Sequence, residues 1–493
     1  MSFWIKQTKS SLETFETQLN SSSGHFISEL LQNADDNNYD PSVTPTFEMK
    51  LSSSPDGHTF HTSCNESGFS IEQIHSLCEI GDSTKKHQKN IDGGYIGEKG
   101  LGFKSVFSVA DVVHVSSGFY SFKLDKTQDM GEFMPTPSPF PAPECSDENH
   151  SSTRVMLQIR KDHVVVEKTL QNMTPEILLF LRRLRRIEID TGAYKSVFVA
   201  TRNDNDDEFL GETRTVTAWK GLELVETSTK YIISRHIVEN MPEEDKRAGV
   251  TVSEVALGFP LDCNNMVDSR LQYAFSFIPF RKSGFHFKFL IQGDFILVAS
   301  RENLNLDNRW NQELRRAIPE TFAKAVNRFI KSGPELRYTW PEYLGHGTLV
   351  DEFWRELETS IVKHLGNLHI LQSRAAGDDC FQKPSDVVFI PPAYRLDGNA
   401  LIDSPDQRRR QLAFEYTPDD KLSPGLKRLG LQMIGFYCFI DTFCEWIAKQ
   451  EPTVLDDMTE EWHTKVAEHL LNGGLPSKSK LQKIAIVPTT SGE

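Results

Sequence analysis

A chain of 493 residues exceeds what one hydrophobic core can organise, so about two to four domains are expected. With 38% hydrophobic and 25% charged residues it has the composition of an ordinary globular protein, and no window approaches the ~20 apolar residues of a membrane span. The formal net charge of −15 argues against a general nucleic-acid surface, and seven scattered cysteines with no CxxC pair or metal-ligand spacing argue against a disulfide framework or a thiolate metal centre.

The opening "MSFWIKQTKSSLETFE" lacks the apolar run of a signal peptide, so a cytoplasmic or nuclear protein without membrane contact is expected. Residues 10–37 read as helical, ended by the two prolines of "DPSVTP". "TFEMKLSSS" and "HTFHTSC" read as short strands around the turn "SPDG", and "SIEQIHSLCEI" as a compact amphipathic helix. "GDSTKKHQKNIDGGYIGEKGLG" has six glycines and no periodicity and reads as a loop. "FKSVFSVADVVHVSSG" reads as helix passing into strand, and the proline-rich "FMPTPSPFPAPE" as an exposed loop. "TRVMLQIR" reads as a strand, and "TPEILLFLRRLRRIEI" as a helix running into another strand. The arginines of "RRLRR" then form the solvated face opposite Ile177, Leu178, Leu181 and Leu184. Arg408–Arg410 in "QRRRQ" receive the same reading. From about 210 to 300 the pattern alternates with period two, and helical patterns return in "NQELRRAIPETFAKAVNRFI" and "LVDEFWRELETSIVKHL". "LQKIAIVPTTSGE" stops abruptly, as a segment cut from a longer protein would.

Two stretches carry chemistry. In "HFISELLQNADDNNYD", Ile27, Leu30, Leu31 and Ala34 form one helical stripe, while Glu29, Asn33 and Asp36 fall within about 60° of arc on another face. Asn and Asp are mediocre helix formers, so propensity does not account for them; a solvated polar face is the plain alternative. In "GGYIGEKGLGFKSVFSVAD", Gly97, Gly100 and Gly102 permit close backbone approach to a ligand. A helix opening at about Phe103 would aim its free N–H groups at an anion, with Lys99 and Lys104 adding charge. The stretch is neither a Walker loop nor a Rossmann turn.

"ELLQNADD" followed by "GEKGLGFKSVFSVAD" resembles the nucleotide-binding domain of the GHKL (Bergerat-fold) ATPases. Gly-Phe-x-Ser-x-Phe-x-Val-Ala-Asp, Gly102 to Asp111, is similar to the form in the ninety-kilodalton heat-shock chaperones. "ELLQNADDN", "CNESGFS", "IGDSTK" and "GEKGLGFKSVF" together are most similar to the sacsin and plant NO VEIN branch, over about residues 20–190. The resemblance implies an α/β fold. Residues 1–200 would form a two-layer sandwich with a mixed, mostly antiparallel sheet, 205–330 an α/β chaperone-like middle domain, and 331–493 a mainly helical region.

Residue by residue, the resemblance implies that Glu29 polarises the attacking water, Asn33 holds Mg²⁺ and Asp36 belongs to the adenine-pocket wall. An oxygen ligand suits that hard ion. The adenine-amine acceptor falls on Asn65 or Glu66, where the chain departs from the family's Asp, with Gly68 as the close-approach glycine. Thr153 would complete the pocket through water, beside Ser152 where the family has glycine. Lys85 is a candidate phosphate contact. "GDFILVASREN" resembles the chaperones' middle-domain segment, which puts Arg301 on the γ-phosphate; a surface salt bridge to Glu302 is the alternative. The implied function is ATP binding and slow Mg²⁺-dependent hydrolysis to ADP and phosphate, coupled to lid closure and to the holding of a protein client, with a nucleotide-dependent dimer as one assembly. A non-hydrolysing nucleotide switch and a DNA-processing ATPase are the rival readings. A histidine kinase lacks room for its phospho-acceptor hairpin before the ATP helix.

Overall fold

The computed structural model of the chain describes residues 25–55, 57–78, 103–141, 153–160, 162–202, 212–221, 223, 225–244, 247, 249–276, 278–280, 286–298, 304–345, 351–374, 381–402, 410–450 and 452–472. The chain divides into two compact units, Met1–Thr321 and Phe322–Glu493.

In the first unit, α1 (His25–Asp36) leads into the hairpin β1 (Thr46–Ser54) and β2 (Gly57–Cys64), followed by α2 (Ile71–Cys78). A 3-10 helix, Phe103–Ser108, precedes β3 (Ala110–Ser117), β4 (Tyr120–Asp125), β5 (Thr136–Pro137), β6 (Thr153–Ile159) and α3 (His163–Gln171). A second 3-10 helix, Pro175–Leu179, comes before β7 (Arg186–Asp190), β8 (Lys195–Arg202), β9 (Thr213–Lys220), β10 (Val225–Glu239) and β11 (Val252–Leu261). The short strands β12 (Ala274–Ser276), β13 (Ile278–Phe280) and β14 (Leu290–Gly293) follow, and then the long helix α4 (Arg309–Lys331), whose second half belongs to the second unit. The fourteen strands form one sheet in the order β13-β12-β14-β11-β10-β9-β8-β7-β1-β2-β6-β3-β4-β5. Only β1 with β7 and β12 with β14 pair in parallel among them. The fold is therefore mixed α/β with a large, mostly antiparallel sheet and helices. One ladder runs without a break from β1 through β7 and β8 into β9 and β10.

The period-two pattern explains β1: Phe47, Met49 and Leu51 are buried while Glu48 and Lys50 between them are exposed. Its partner β2 contributes Phe60 and Cys64 to the same core, which also takes the stripe Phe26, Ile27, Leu30, Leu31 and Ala34 of α1. The proline-rich segment is not wholly a loop. Thr136 and Pro137 pair with β4 at the sheet edge, the place where a strand tolerates proline.

Residues 174–185 depart from the expected long helix. Only Pro175–Leu179 is helical, and tightly wound. Ile177, Leu178, Leu181 and Leu184 are buried as their spacing suggests. The carbonyls, however, are taken from outside: Arg214 Nη1 donates to Leu178 O, Leu179 O and Leu181 O at 3.3, 2.8 and 3.4 Å. A backbone whose polar groups are satisfied by distant side chains has no need of a helical ladder. Glu212 in turn accepts from Arg214 and Arg235.

The second unit interleaves helices with strands of two or three residues, so it is less uniformly helical than the sequence pattern suggests. Helix Glu352–Leu365 appears where expected, capped by Asp351, whose carboxylate accepts the Phe353 N–H. Val387–Phe389 pairs in parallel with Arg410–Gln411 and Gln432–Met433, so Arg410 lies on a short strand and not on a helix face. Helices Phe436–Ile447 and Glu460–Asn472 bury Phe439, Phe443, Trp446 and Trp462 in a separate cluster with Leu401 and Ile402. Among the described residues no helix is long and apolar enough to cross a membrane.

Candidate functional site

The polar face of α1 is not solvated. Glu29 is 9% exposed and Asp36 6%, with Asn33 half-buried between them. Ionisable side chains are rarely sequestered this far unless they are paired or hydrogen-bonded. The helix is held at its C-terminal end by one group from far along the chain and one from just beyond the helix. Arg183 Nη1 donates to Asp36 O at 2.7 Å, placing a cation on the negative end of the helix dipole, and Tyr39 OH donates to Ala34 O at 2.8 Å. Asp35, fully buried, accepts three backbone N–H bonds at 2.8 Å: Arg182 N to Oδ2, and Arg183 N and Leu184 N to Oδ1. Sequence reasoning passed over Asp35, since it lies on neither stripe and its partners are featureless backbone amides. The "RRLRR" segment is thus the anchor of the helix, through main chain and Arg183 together.

At one end of the sheet the strand register brings the next residues together. Cys64 pairs with Thr153, and Thr153 with Ser117, across β2, β6 and β3. Thr153 Oγ1 and Ser117 Oγ share a 2.6 Å hydrogen bond, and Ser117 Oγ accepts the Phe69 N–H at 2.8 Å. Gly68 adopts φ +86°, and a Cβ there would meet Gly118 N at 3.3 Å, so both conformation and space call for glycine.

Asn65 and Glu66 separate clearly. The Asn65 side chain is spent on backbone, its Oδ1 accepting Thr46 N–H at 2.8 Å and its Nδ2 donating to Thr44 O at 2.9 Å. Glu66 is 1% exposed and accepts from Asn37 Nδ2. Its charge lies close enough to Tyr39 and Cys64 to add to the effect of burial. Burial pushes the Tyr39 phenol well up, and it raises the Cys64 thiol to about 12. With Tyr39 OH committed to Ala34 O, the 3.0 Å contact to Cys64 Sγ leaves the thiol as donor.

The expected anion-binding helix is a six-residue 3-10 turn, Phe103–Ser108, packed against α1, too short to add up much dipole. Phe103 is buried in the core. Lys104 turns away to donate to Glu132 O and sits 4.7 Å over the Phe133 ring; burial pulls its ammonium down to about 8. Lys85, Gly97, Gly100, Gly102 and Arg301 lie outside the described residues, as does Ser152. Among the described residues no group of three or more His, Cys, Asp or Glu could hold a metal ion.

Fold and site together define a mixed α/β protein that carries buried carboxylates on the first described helix and on the loop after β2. No known protein-family model matches the chain. It is similar to Protein NO VEIN of Arabidopsis thaliana, with 32% identity over 403 residues, covering 75% of this chain. That agrees with the NO VEIN-like part of the resemblance drawn from the motifs. The matching region amounts to 14% of that protein's length.

Proposed function

We propose that the first unit contains a GHKL-type nucleotide site that binds ATP with Mg²⁺ and hydrolyses it slowly, as a chaperone-like device that changes how this protein holds a protein partner. The observation that carries this reading is the burial of Glu29 and Asp36 on one face of α1, where a solvated face would leave both exposed. Glu29 and Asn33 are one turn apart, with a rise of about 6 Å between them. In the proposed roles Glu29 orients the attacking water and Asn33 presents an amide oxygen to the metal. The donor set fits a hard ion bound chiefly by phosphate oxygens and water, and it does not require an all-protein cage. Such an ion would neutralise charge developing on the phosphate oxygens. Glu66, with Asn65 committed to the backbone of Thr44 and Thr46, takes the role of base reader, and Gly68, Ser117 and Thr153 shape the pocket beside it. Phe103 and Lys104 have other occupations and are left out of the proposed site.

The test is ATP affinity and turnover with Mg²⁺ for the full chain beside Glu29→Ala and Asp36→Asn. The reading expects wild-type turnover, binding without turnover for Glu29→Ala, and lost binding for Asp36→Asn. Equal binding by all three with no hydrolysis would make the protein a nucleotide-dependent switch. Absence of binding in the wild type would refute the proposal.

A further inference from the structure

A directed chain of amides ends on Glu66. Ser70 and Gln73 form a reciprocal cap at the start of α2: Gln73 N–H donates to Ser70 Oγ at 3.3 Å, and Ser70 N–H donates to Gln73 Oε1 at 2.8 Å. A backbone N–H can only donate, so the cap fixes which end of the Gln73 amide faces Ser70. Gln73 Nε2 is left pointing outward, where it donates to Asn37 Oδ1 at 2.9 Å. That bond fixes the Asn37 amide as well, and Asn37 Nδ2 donates to Glu66 Oε2. The orientation of both amides follows from one helix cap.

We infer that Gln73 and Asn37 are positioning residues that hold the Glu66 carboxylate as an acceptor, so that the site selects a 6-amino purine nucleotide over a 6-oxo one. The inference rests on the ATP-binding reading. An ionised carboxylate accepts hydrogen bonds and donates none. An exocyclic amine satisfies it, whereas an exocyclic carbonyl oxygen at the same place leaves two acceptors facing each other in a buried site, a mismatch that discriminates strongly. Without the relay, Glu66 would lose the Asn37 donor while the sheet end and α1 stay in place.

Gln73→Glu isolates the effect. A carboxylate at that position still completes the cap, so α2 keeps its start. It cannot donate to Asn37, and Asn37 must turn its NH₂ toward the new carboxylate and its oxygen toward Glu66. Equilibrium binding of ATP and of inosine triphosphate is measured for the full chain and for this variant, with thermal unfolding alongside. The expected result is a wild type that favours ATP by about 10⁴-fold. In Gln73→Glu that ratio falls about tenfold or more with little change in Tm. An unchanged ratio, or equal weakening of both nucleotides, overturns the inference. A wild type that binds both nucleotides equally overturns it while leaving nucleotide binding intact. A wild type that binds neither overturns this inference and the ATP reading beneath it.

Discussion

Asp35 offers the sharpest test of how α1 is held. Its carboxylate is fully buried and accepts the N–H groups of Arg182, Arg183 and Leu184. Asp35→Ala removes the acceptor for all three donors. A donor left unsatisfied in a buried setting costs roughly 1–3 kcal/mol, but Arg182 and Arg183 are near enough to the surface to recover water. The loss should therefore be about 3–5 kcal/mol. Asp35→Asn retains an oxygen for the two bonds at Oδ1 and turns an NH₂ toward the Arg182 N–H, for a loss of about 2 kcal/mol. In a unit of this size about 2 °C of Tm accompanies each kcal/mol, so the drops should be about 6–10 °C for alanine and about 4 °C for asparagine. Thermal unfolding of the full chain measures both. Two variants within about 1 °C of wild type, or asparagine worse than alanine, would refute the account of the latch.

Lys104 predicts a pH dependence. Burial holds its ammonium at about 8 against an ordinary 10.5. Below about pH 8 both states carry the proton; between there and 10.5 the unfolded chain keeps it while the folded one releases it, so the fold gains stability as pH rises through that window. Wild type should gain Tm relative to Lys104→Met between pH 7.5 and pH 10 (test values of about that range, chosen to straddle the window), and a constant difference would contradict the burial. Cys64, raised to about 12, should resist alkylation in the native state at mildly alkaline pH while exposed Cys263 and Cys438 are modified, as peptide mass spectrometry would show. Gly68→Ala should cost about 2 kcal/mol through its positive φ and the crowding at Gly118 N, read as a lower urea midpoint with an unchanged slope.

Local patterns were readable wherever local burial decided the structure. The stripe on α1 and the alternation in β1 pointed to the core correctly, because one face of each element is sealed by apolar contact. The segment 174–185 misled because its spacing mimics a helix while Arg214 and Asp35, both remote in sequence, take its carbonyls and amides. That Asn65 spends its side chain on backbone while Glu66 does not was also closed to sequence reasoning. It depends on two backbone groups of the chain entering β1, at Thr44 and Thr46. Ser117 escaped notice for a similar reason, since only the register of β3 with β6 sets it against Thr153. The relay from Gln73 had half a signature, the Ser-x-x-Gln cap, but its extension to Asn37 and Glu66 is a matter of tertiary placement.

The parallel pairing of β1 with β7 sets a timetable for vectorial synthesis. The β1–β2 hairpin can close as soon as it leaves the ribosome, yet the other edge of β1 has its partner only when the stretch from Arg186 to Asp190 has emerged. Until then a nascent chain carries an open strand flank beside Phe47, Met49 and Leu51, the arrangement that invites pairing with a neighbouring polypeptide. Translation pauses or ribosome-associated factors acting while residues 65–185 are being made would fall within the interval in which this sheet has no closed centre.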